Sequence, residues 1–265
     1  MSAANGNGHP VREISLLGAL GEEWIKLPFT AMRDVGPAVQ TLGGLLAITT
    51  GETFVPVGEI ARKARVPERT AKAHLLTLHD HGWIDNRGRE RTRRGNPRRT
   101  CTIRLAAKAK AAAADGWGIL PWWTCFKWRP PFNWSAKAVL SVLMGRLCAM
   151  KAAADRGEGC VDGAGDEEDM LGALENMDVD GHFRGLSSLR KLEEITGLDR
   201  KSIAVAKRRL HTIGCIIWQR SGDTTPRGTV ADLLIPNWDF RVAITDLPNG
   251  RCTARFCKKP TTCGG

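Results

Sequence analysis

The spacing of apolar residues predicts two similar helices, one in each half of the chain. Apolar residues recur at three- and four-residue intervals in residues 69–81 and again in residues 198–213. This spacing places them on one face of a helix, which we expect to pack inward. The inward residues would be Ala71, Leu75 and Leu78 in the first helix, and Ile203, Ala206, Leu210 and Ile213 in the second.

The same elements are predicted around both helices. A shorter helix precedes each one, at 57–66 and 186–197, the latter capped by Ser187 or Ser188. Gly82 and Gly214 follow them, as glycine commonly follows a helix end. A strand, a polar tip and a returning strand come next, at 83–105 and 214–236. A longer apolar-periodic helix is expected earlier in each half, near residues 30–49 and 135–154.

These two arrangements form an internal repeat. LTLHDHGWI (76–84) and RRLHTIGCI (208–216) share Leu, His, Gly and Ile at a constant separation of 132 residues. KLPF and RPPF, ending at Phe29 and Phe132, are separated by only 103 residues. The second copy must therefore hold 29 additional residues between its first and second helices, and residues 155–184 fit this place.

The inserted segment differs from the rest of the chain in charge. It holds ten acidic residues against Arg156 and Arg184, a net charge of −8. Such a Gly-rich acidic block is expected to be a disordered loop. The predicted organisation is a flexible leader (1–22), a first domain (23–106), a linker (107–121), a second domain (122–240) and a flexible tail (241–265).

The net charge of the whole chain, +11, favours a polyanionic partner. A solvated basic surface without a partner is the alternative.

No stretch is long and apolar enough to span a membrane, and the N-terminus lacks the apolar core of a secretory signal. The scattered cysteines favour a reducing, cytoplasmic setting. Within the cytoplasm, we expect the protein to be associated with the nucleoid. The absence of tyrosine excludes tyrosine recombinases and relaxases, and no P-loop is present.

The outward faces of the two helices and the hairpin after the first helix carry the candidate nucleic-acid contacts. Residues 85–104 hold eight arginines against Asp85 and Glu90, which suits phosphates or a narrow minor groove better than a core. The candidate residues are Arg69, Thr70, Lys72, Arg87, Arg89, Arg91, Arg93, Arg94, Arg98 and Arg99 in the first copy, and Arg200, Lys201, Ser202, Lys207, Arg208 and Arg209 in the second.

Both copies resemble winged helix-turn-helix domains. EIARKARVPERTAKAHLLTLHDHGWI and KLEEITGLDRKSIAVAKRRLHTIGCI follow the pattern of that superfamily, although Arg65 stands where a turn glycine is usual and Lys207 where a core leucine is usual. The resemblance implies a mainly α fold with small β-wings, in which the second helix reads base edges and the wing grips the backbone. Tandem copies resemble replication initiators or regulators of plasmids, phages and mobile elements.

The expected function is therefore binding of double-stranded DNA. The replication or transcription machinery is the expected protein partner. A protein-interaction module with a Trp-rich contact surface is the alternative. That surface would be the segment 116–134, with five tryptophans, although packing between domains or base stacking also fit it. No constellation predicts catalysis. Neither the Asn176–Gly181 segment nor Cys252, Cys257 and Cys263 complete a metal site, so no cofactor is expected.

Overall fold

The computed structural model describes residues 3–4, 10–16, 24–87, 102–112, 116–125, 132–155, 183, 188–224, 230–237, 240–246 and 252–256. The fold of these residues is mainly helical, with small antiparallel sheets. The acidic residues 156–182 lie outside the described residues, so the expectation of a disordered loop there stays a prediction. Phe183, at the end of that predicted loop, is fully buried and belongs to the core.

The first of the two similar halves begins with strand β3 (Trp24–Pro28), followed by helices α1 (Phe29–Val35) and α2 (Val39–Leu46). Two earlier strands belong to the terminal sheet described below. The sequence predicts one continuous helix here. The structure breaks it at Gly36, whose φ of 51° is left-handed, and at the following Pro37. A left-handed residue ends the α-helix, and proline then starts a short 3-10 turn.

A compact unit of two helices and a three-stranded sheet follows. It contains β4 (Glu52–Thr53), α3 (Val57–Lys63), α4 (Glu68–Asp80), β5 (Ile84–Asn86) and β6 (Ile103–Leu105). Its sheet has the order β4–β6–β5, with all pairs antiparallel. The predicted helix and glycine turn are thus confirmed, and the described strands at the base of the predicted hairpin pair as expected. Ala71, Leu75 and Leu78 are buried as their spacing predicts.

Residues 107–121 were expected to be a linker, and the described ones, 107–112 and 116–121, belong to the fold. They hold α5 (Ala107–Ala111), which packs through buried Ala109, and β7 (Trp117–Pro121). Strand β7 pairs with β3 along its full length. The local sequence of this segment shows only an Ala/Lys-rich run, because its partner strand lies about 90 residues earlier.

The second half contains the long α6 (Trp134–Asp155), α7 (Leu189–Thr196) and α8 (Arg200–Thr212), then the hairpin β8 (Ile216–Thr224) and β9 (Val230–Pro236). Ser188 caps α7, its side chain accepting a hydrogen bond from the backbone N–H of Lys191 at 3.1 Å. Helix α8 packs on α6 and α7 with Ile203, Ala206 and Leu210 buried, which confirms the predicted inward face except at Ile213, which is half-buried.

The expected flexible leader and tail contain strands, and that expectation is wrong for the described residues. β1 (Ala3–Ala4), β2 (Pro10–Ser15), β10 (Arg241–Asp246) and β11 (Cys252–Phe256) form one antiparallel sheet in the order β1–β2–β10–β11. Leu16 is buried and donates its backbone N–H to the carbonyl oxygen of Phe240 at 3.0 Å. Both ends of the chain are therefore tied to the core.

Candidate nucleic-acid interface

Helix α4 turns a mixed basic and apolar stripe toward solvent. Arg69, Lys72 and Leu76 are exposed on the face opposite the buried Leu75 and Leu78. The side chain of Lys72 lies 2.8 Å from the carboxylate of Glu68, one turn earlier. Arg69 has no carboxylate partner among the described residues, so its guanidinium is available to an anion. Thr70 is half-buried at the start of the helix.

Helix α8 presents an equivalent stripe. Arg200, Lys201, Val205 and Arg208 are exposed. Arg200 is held by Glu193 of α7, with an Nε to carboxylate distance of 3.1 Å. In the described part of the chain, neither Lys201 nor Arg208 has an acidic partner. Each helix thus directs at least one uncompensated cation away from the core.

The first turn of α8 is capped by the side chain of Asp199. The Asp199 carboxylate accepts the backbone N–H of Ser202 at 2.9 Å, and the Ser202 hydroxyl donates to the same carboxylate at 2.7 Å. Hydrogen bonds from the Ser202 backbone and hydroxyl lower the pKa of Asp199. Ser202 was predicted to reach a phosphate or a backbone group. In this structure its hydroxyl bonds instead to its own helix cap.

Lys207 was predicted to flank the outward face, and this prediction is wrong because only 1 % of the residue is exposed. It follows Ile203 by four positions and precedes Leu210 by three, so helical geometry places it on the inward face. Arg209 is half-buried, and its Nη2 atom is buried with no hydrogen-bond partner among the described residues. Neither side chain belongs to the exposed stripe of α8.

The arginine-rich hairpin of the first half is described only at its base. Strands β5 and β6 pair antiparallel, and the backbone N–H of Arg87 donates to the carbonyl oxygen of Thr102 at 3.0 Å. Arg87 is exposed and contacts Asp85 at 2.8 Å, which lowers the pKa of that carboxyl. The candidates beyond this base, which lie outside the described residues, are Arg89, Arg91, Arg93, Arg94, Arg98 and Arg99.

The histidines repeated in the two halves have the same structural role. The Nδ1 of His79 lies 3.3 Å from the carbonyl oxygen of Ile84, and the Nδ1 of His211 lies 3.4 Å from that of Ile216. Each ring therefore links the last turn of its helix to the first residue of the following strand. The histidine shared by LTLHDHGWI and RRLHTIGCI thus makes the same contact in both halves.

A cluster around Asp34 anchors the end of α4 to α1, and sequence reasoning missed it. The carboxylate accepts hydrogen bonds from Trp83 Nε1 at 2.6 Å and Lys108 Nζ at 3.3 Å, and His81 Nδ1 lies 3.1 Å away. Burial by itself would raise the pKa of Asp34, but these three contacts outweigh it and lower the pKa. The partners lie 47 to 74 residues away in sequence, so no local pattern could reveal the cluster.

The tryptophan-rich segment packs inside the molecule where it is described. Trp122 and Trp123 are buried, and Trp123 contacts Phe132 and Phe240 with ring centroids 5.8 and 5.7 Å apart. Trp117 is half-buried, with the ammonium group of Lys26 3.2 Å from its ring centroid. The burial of Trp122 and Trp123 agrees with the interpretation that this segment packs between domains, while Trp128 lies outside the described residues.

Within the described ranges, no group of three or more metal-binding side chains converges, and no helix could span a lipid bilayer. Comparison with protein-family models, with curated proteins and with solved structures finds no match to this chain.

Proposed function

We propose that this protein binds double-stranded DNA through two winged helix-turn-helix modules. The order of elements in the first half supports this: α2, β4, α3, α4, β5 and β6, with β6 between the other two strands. In the second half, α6, α7, α8, β8 and β9 follow the same order without the first strand. In such modules the second helix of the helix-turn-helix lies in the major groove.

One observation carries the proposal: α4 and α8 occupy equivalent places and both present exposed cations. Arg69 and Lys201 are separated by the repeat distance of 132 residues, and both are exposed without an acidic partner among the described residues. A helix that reads a base edge needs side chains that protrude and donate hydrogen bonds, and arginine and lysine donate to guanine. The net charge of +11 supplies the long-range attraction.

The alternative function, a protein-interaction module with a Trp-rich contact surface, loses support at two residues. Trp122 and Trp123 are buried in the molecule and so are not available to a partner. Within DNA binding, two roles fit: initiation of replication at iterated sites, and regulation of transcription at one or a few sites. Recovery of bound fragments from the DNA of the source organism separates them, since clustered repeats indicate an initiator and single sites before genes a regulator.

A salt titration tests the proposal directly. If the protein contacts 6–10 phosphates, its affinity for duplex DNA should fall by about 10³–10⁵ between 50 and 200 mM salt. Replacing Arg89, Arg91, Arg93 and Arg94 by alanine should weaken binding to every sequence and flatten the salt dependence. Absence of duplex binding at 50 mM salt would refute the proposal.

A charge-matched variant controls for the loss of four positive charges. Arg251, Arg255, Lys258 and Lys259 form a second basic cluster near the C-terminus. Alanine at these four positions should weaken binding much less than alanine in the hairpin. Equal losses in the two variants would mean that overall charge, and not the hairpin, determines affinity.

A further inference from the structure

Strands β3 and β7 have related sequences and pair about a local two-fold axis. WIKLP (24–28) and WGILP (117–121) share Trp, Leu and Pro at the same positions. In the antiparallel register Trp24 lies opposite Pro121, and Pro28 lies opposite Trp117. Because Trp24 corresponds to Trp117 and Pro28 to Pro121, exchanging the strands reproduces the same pairing. The axis therefore passes between Lys26 and Ile119, which lie opposite each other.

Each of these strands is covered by a helix of its own half at an equivalent glycine. Gly43 lies in TLGGLLAI (41–48) and Gly145 in LMGRLCAM (143–150). A Cβ on Gly43 would lie 2.3 Å from the carbonyl oxygen of Lys26, and a Cβ on Gly145 equally close to that of Trp117. Only glycine permits so close an approach of helix to strand. The unit of strand and helix is thus present twice, although the close contact falls on the third residue of β3 and on the first residue of β7.

The contacts between the two halves also occur in pairs, one from each half to the other. Arg65 and Gly197 occupy the same place in the two helix-turn-helix turns, and both have left-handed backbones, with φ of 53° and 68°. The guanidinium of Arg65 lies 5.6 Å from the ring centroid of Trp122, just after β7. A Cβ on Gly197 would lie 2.9 Å from the carbonyl oxygen of Arg33, which lies in α1, the helix that follows β3. Each turn therefore contacts the segment after the first strand of the opposite half, as two-fold symmetry requires.

We infer that an approximate two-fold axis relates the two DNA-reading modules, and that their target is an inverted repeat within one duplex. This inference rests on the proposed function. A two-fold rotation maps a duplex onto itself only by exchanging its strands. Two modules related by such an axis and docked alike on one duplex therefore contact half-sites of opposite orientation. A single chain would then recognise DNA as a symmetric dimer does.

The repeat should be imperfect, because the two reading helices agree at only part of their exposed stripe. Arg69 and Lys201 are equivalent and both basic. Lys72 corresponds to Ala204, and Leu76 to Arg208. We expect the half-sites to share the base pair nearest the first pair of residues and to differ at the others.

Selection from random DNA tests this inference with the full-length protein. The duplexes carry a randomised segment of about 30 base pairs, roughly three helical turns. Two motifs in inverted orientation at a fixed spacing are the expected result. Direct repeats, or one undivided motif, would overturn the two-fold inference and leave DNA binding intact. No enrichment, together with no duplex binding at 50 mM salt, would instead overturn the proposed function.

Two matched variants assign the half-sites. Arg69→Ala and Lys201→Ala should each reduce discrimination in one motif, and in opposite motifs, by about 5- to 150-fold, the usual effect of one mismatched base pair. Arg241→Ala removes an equally exposed cation from the terminal sheet and should change neither motif. Loss of discrimination in the same motif for Arg69→Ala and Lys201→Ala would contradict the inference.

Discussion

At the scale of single residues, two lysines of α8 have the same charge and opposite environments. Lys201 is exposed, and Lys207 is buried on the inward face. Alanine at Lys207 should lower the free energy of unfolding by about 2–4 kcal/mol, because it leaves a cavity. Alanine at Lys201 should change that free energy by less than about 0.5 kcal/mol.

DNA binding should show the opposite pattern for these two variants. Lys201→Ala should reduce the slope of log affinity against log salt by about one if it contacts a phosphate, and weaken one half-site if it contacts a base. Lys207→Ala should leave both properties unchanged at a temperature where the variant is folded. Urea unfolding and salt titration measure the two effects, and weakened binding by folded Lys207→Ala would show that this lysine reaches DNA.

Adjacent leucines of α4 provide a second comparison. Leu75 is buried, whereas 60 % of Leu76 is exposed beside Arg69 and Lys72. Leu75→Ala should cost about 2–5 kcal/mol of stability. Leu76→Ala should leave stability within about 0.5 kcal/mol and weaken binding to the selected site by about 1 kcal/mol, because an exposed apolar side chain on a reading helix can contact a thymine methyl group. Unchanged site preference in Leu76→Ala would exclude this contact.

Much of the candidate site was predictable because a helix converts sequence spacing directly into a face. The spacing alone placed Arg69, Lys72, Lys201 and Arg208 outward, as the structure has them. It also contained the information that Lys207 faces inward, but the charge of lysine argued the other way. The contacts of Asp34 were not predictable, since they depend on how α1, α4 and α5 come together.

At the scale of elements, the turn between α7 and α8 combines backbone strain with close packing. Gly197 has a φ of 68°, and a Cβ there would lie 2.9 Å from the carbonyl oxygen of Arg33. Gly197→Ala should therefore destabilise the protein by about 2–3 kcal/mol, since both the left-handed backbone and the collision oppose a side chain.

Two other glycines separate these contributions. Gly82 has a similar φ of 66°, but a Cβ at this position would have nothing within 4 Å, and Gly51 has open space without a left-handed backbone. Gly82→Ala should cost about 1 kcal/mol, and Gly51→Ala should be close to neutral. Thermal unfolding of the three variants measures the difference. If Gly197→Ala costs no more than Gly82→Ala, the turn does not pack tightly against the first half.

Elements with strong local signals were predicted well, and those defined by distant partners were not. The period of 3.6 identified α4 and α8, and alternation of polar and apolar residues identified β6. The pairing of β3 with β7 was missed, although WIKLP and WGILP repeat one another. The similar KLPF and RPPF segments suggest a different alignment of the two halves, and the strand partners lie about 90 residues apart along the chain.

At the scale of the whole molecule, strands from the two ends of the sequence, β1 and β2 with β10 and β11, form one sheet. Strand β2 pairs with β10 from Arg241 opposite Ser15 to Thr245 opposite Val11. No local pattern indicates this pairing, because each strand has its partner at the other end of the sequence. Polar, Gly-rich composition near the termini favoured a flexible leader and tail, and the long-range pairing overrides that tendency.

The terminal sheet should contribute to the stability of the whole fold. Deleting residues 1–16 removes β1, β2 and the buried Leu16, and leaves β10 as an edge strand paired only with β11. Phe240, which precedes β10, packs on Trp123. We expect a lower midpoint of thermal unfolding, because β10 loses its backbone partners in β2 and Phe240 loses apolar cover. Deleting residues 1–9 is the control, since among the described residues it removes only the two-residue β1 and should lower the midpoint much less. If the two deletions unfold at the same temperature, the sheet does not stabilise the core, and the ends of the chain can be removed without consequence for the two reading helices.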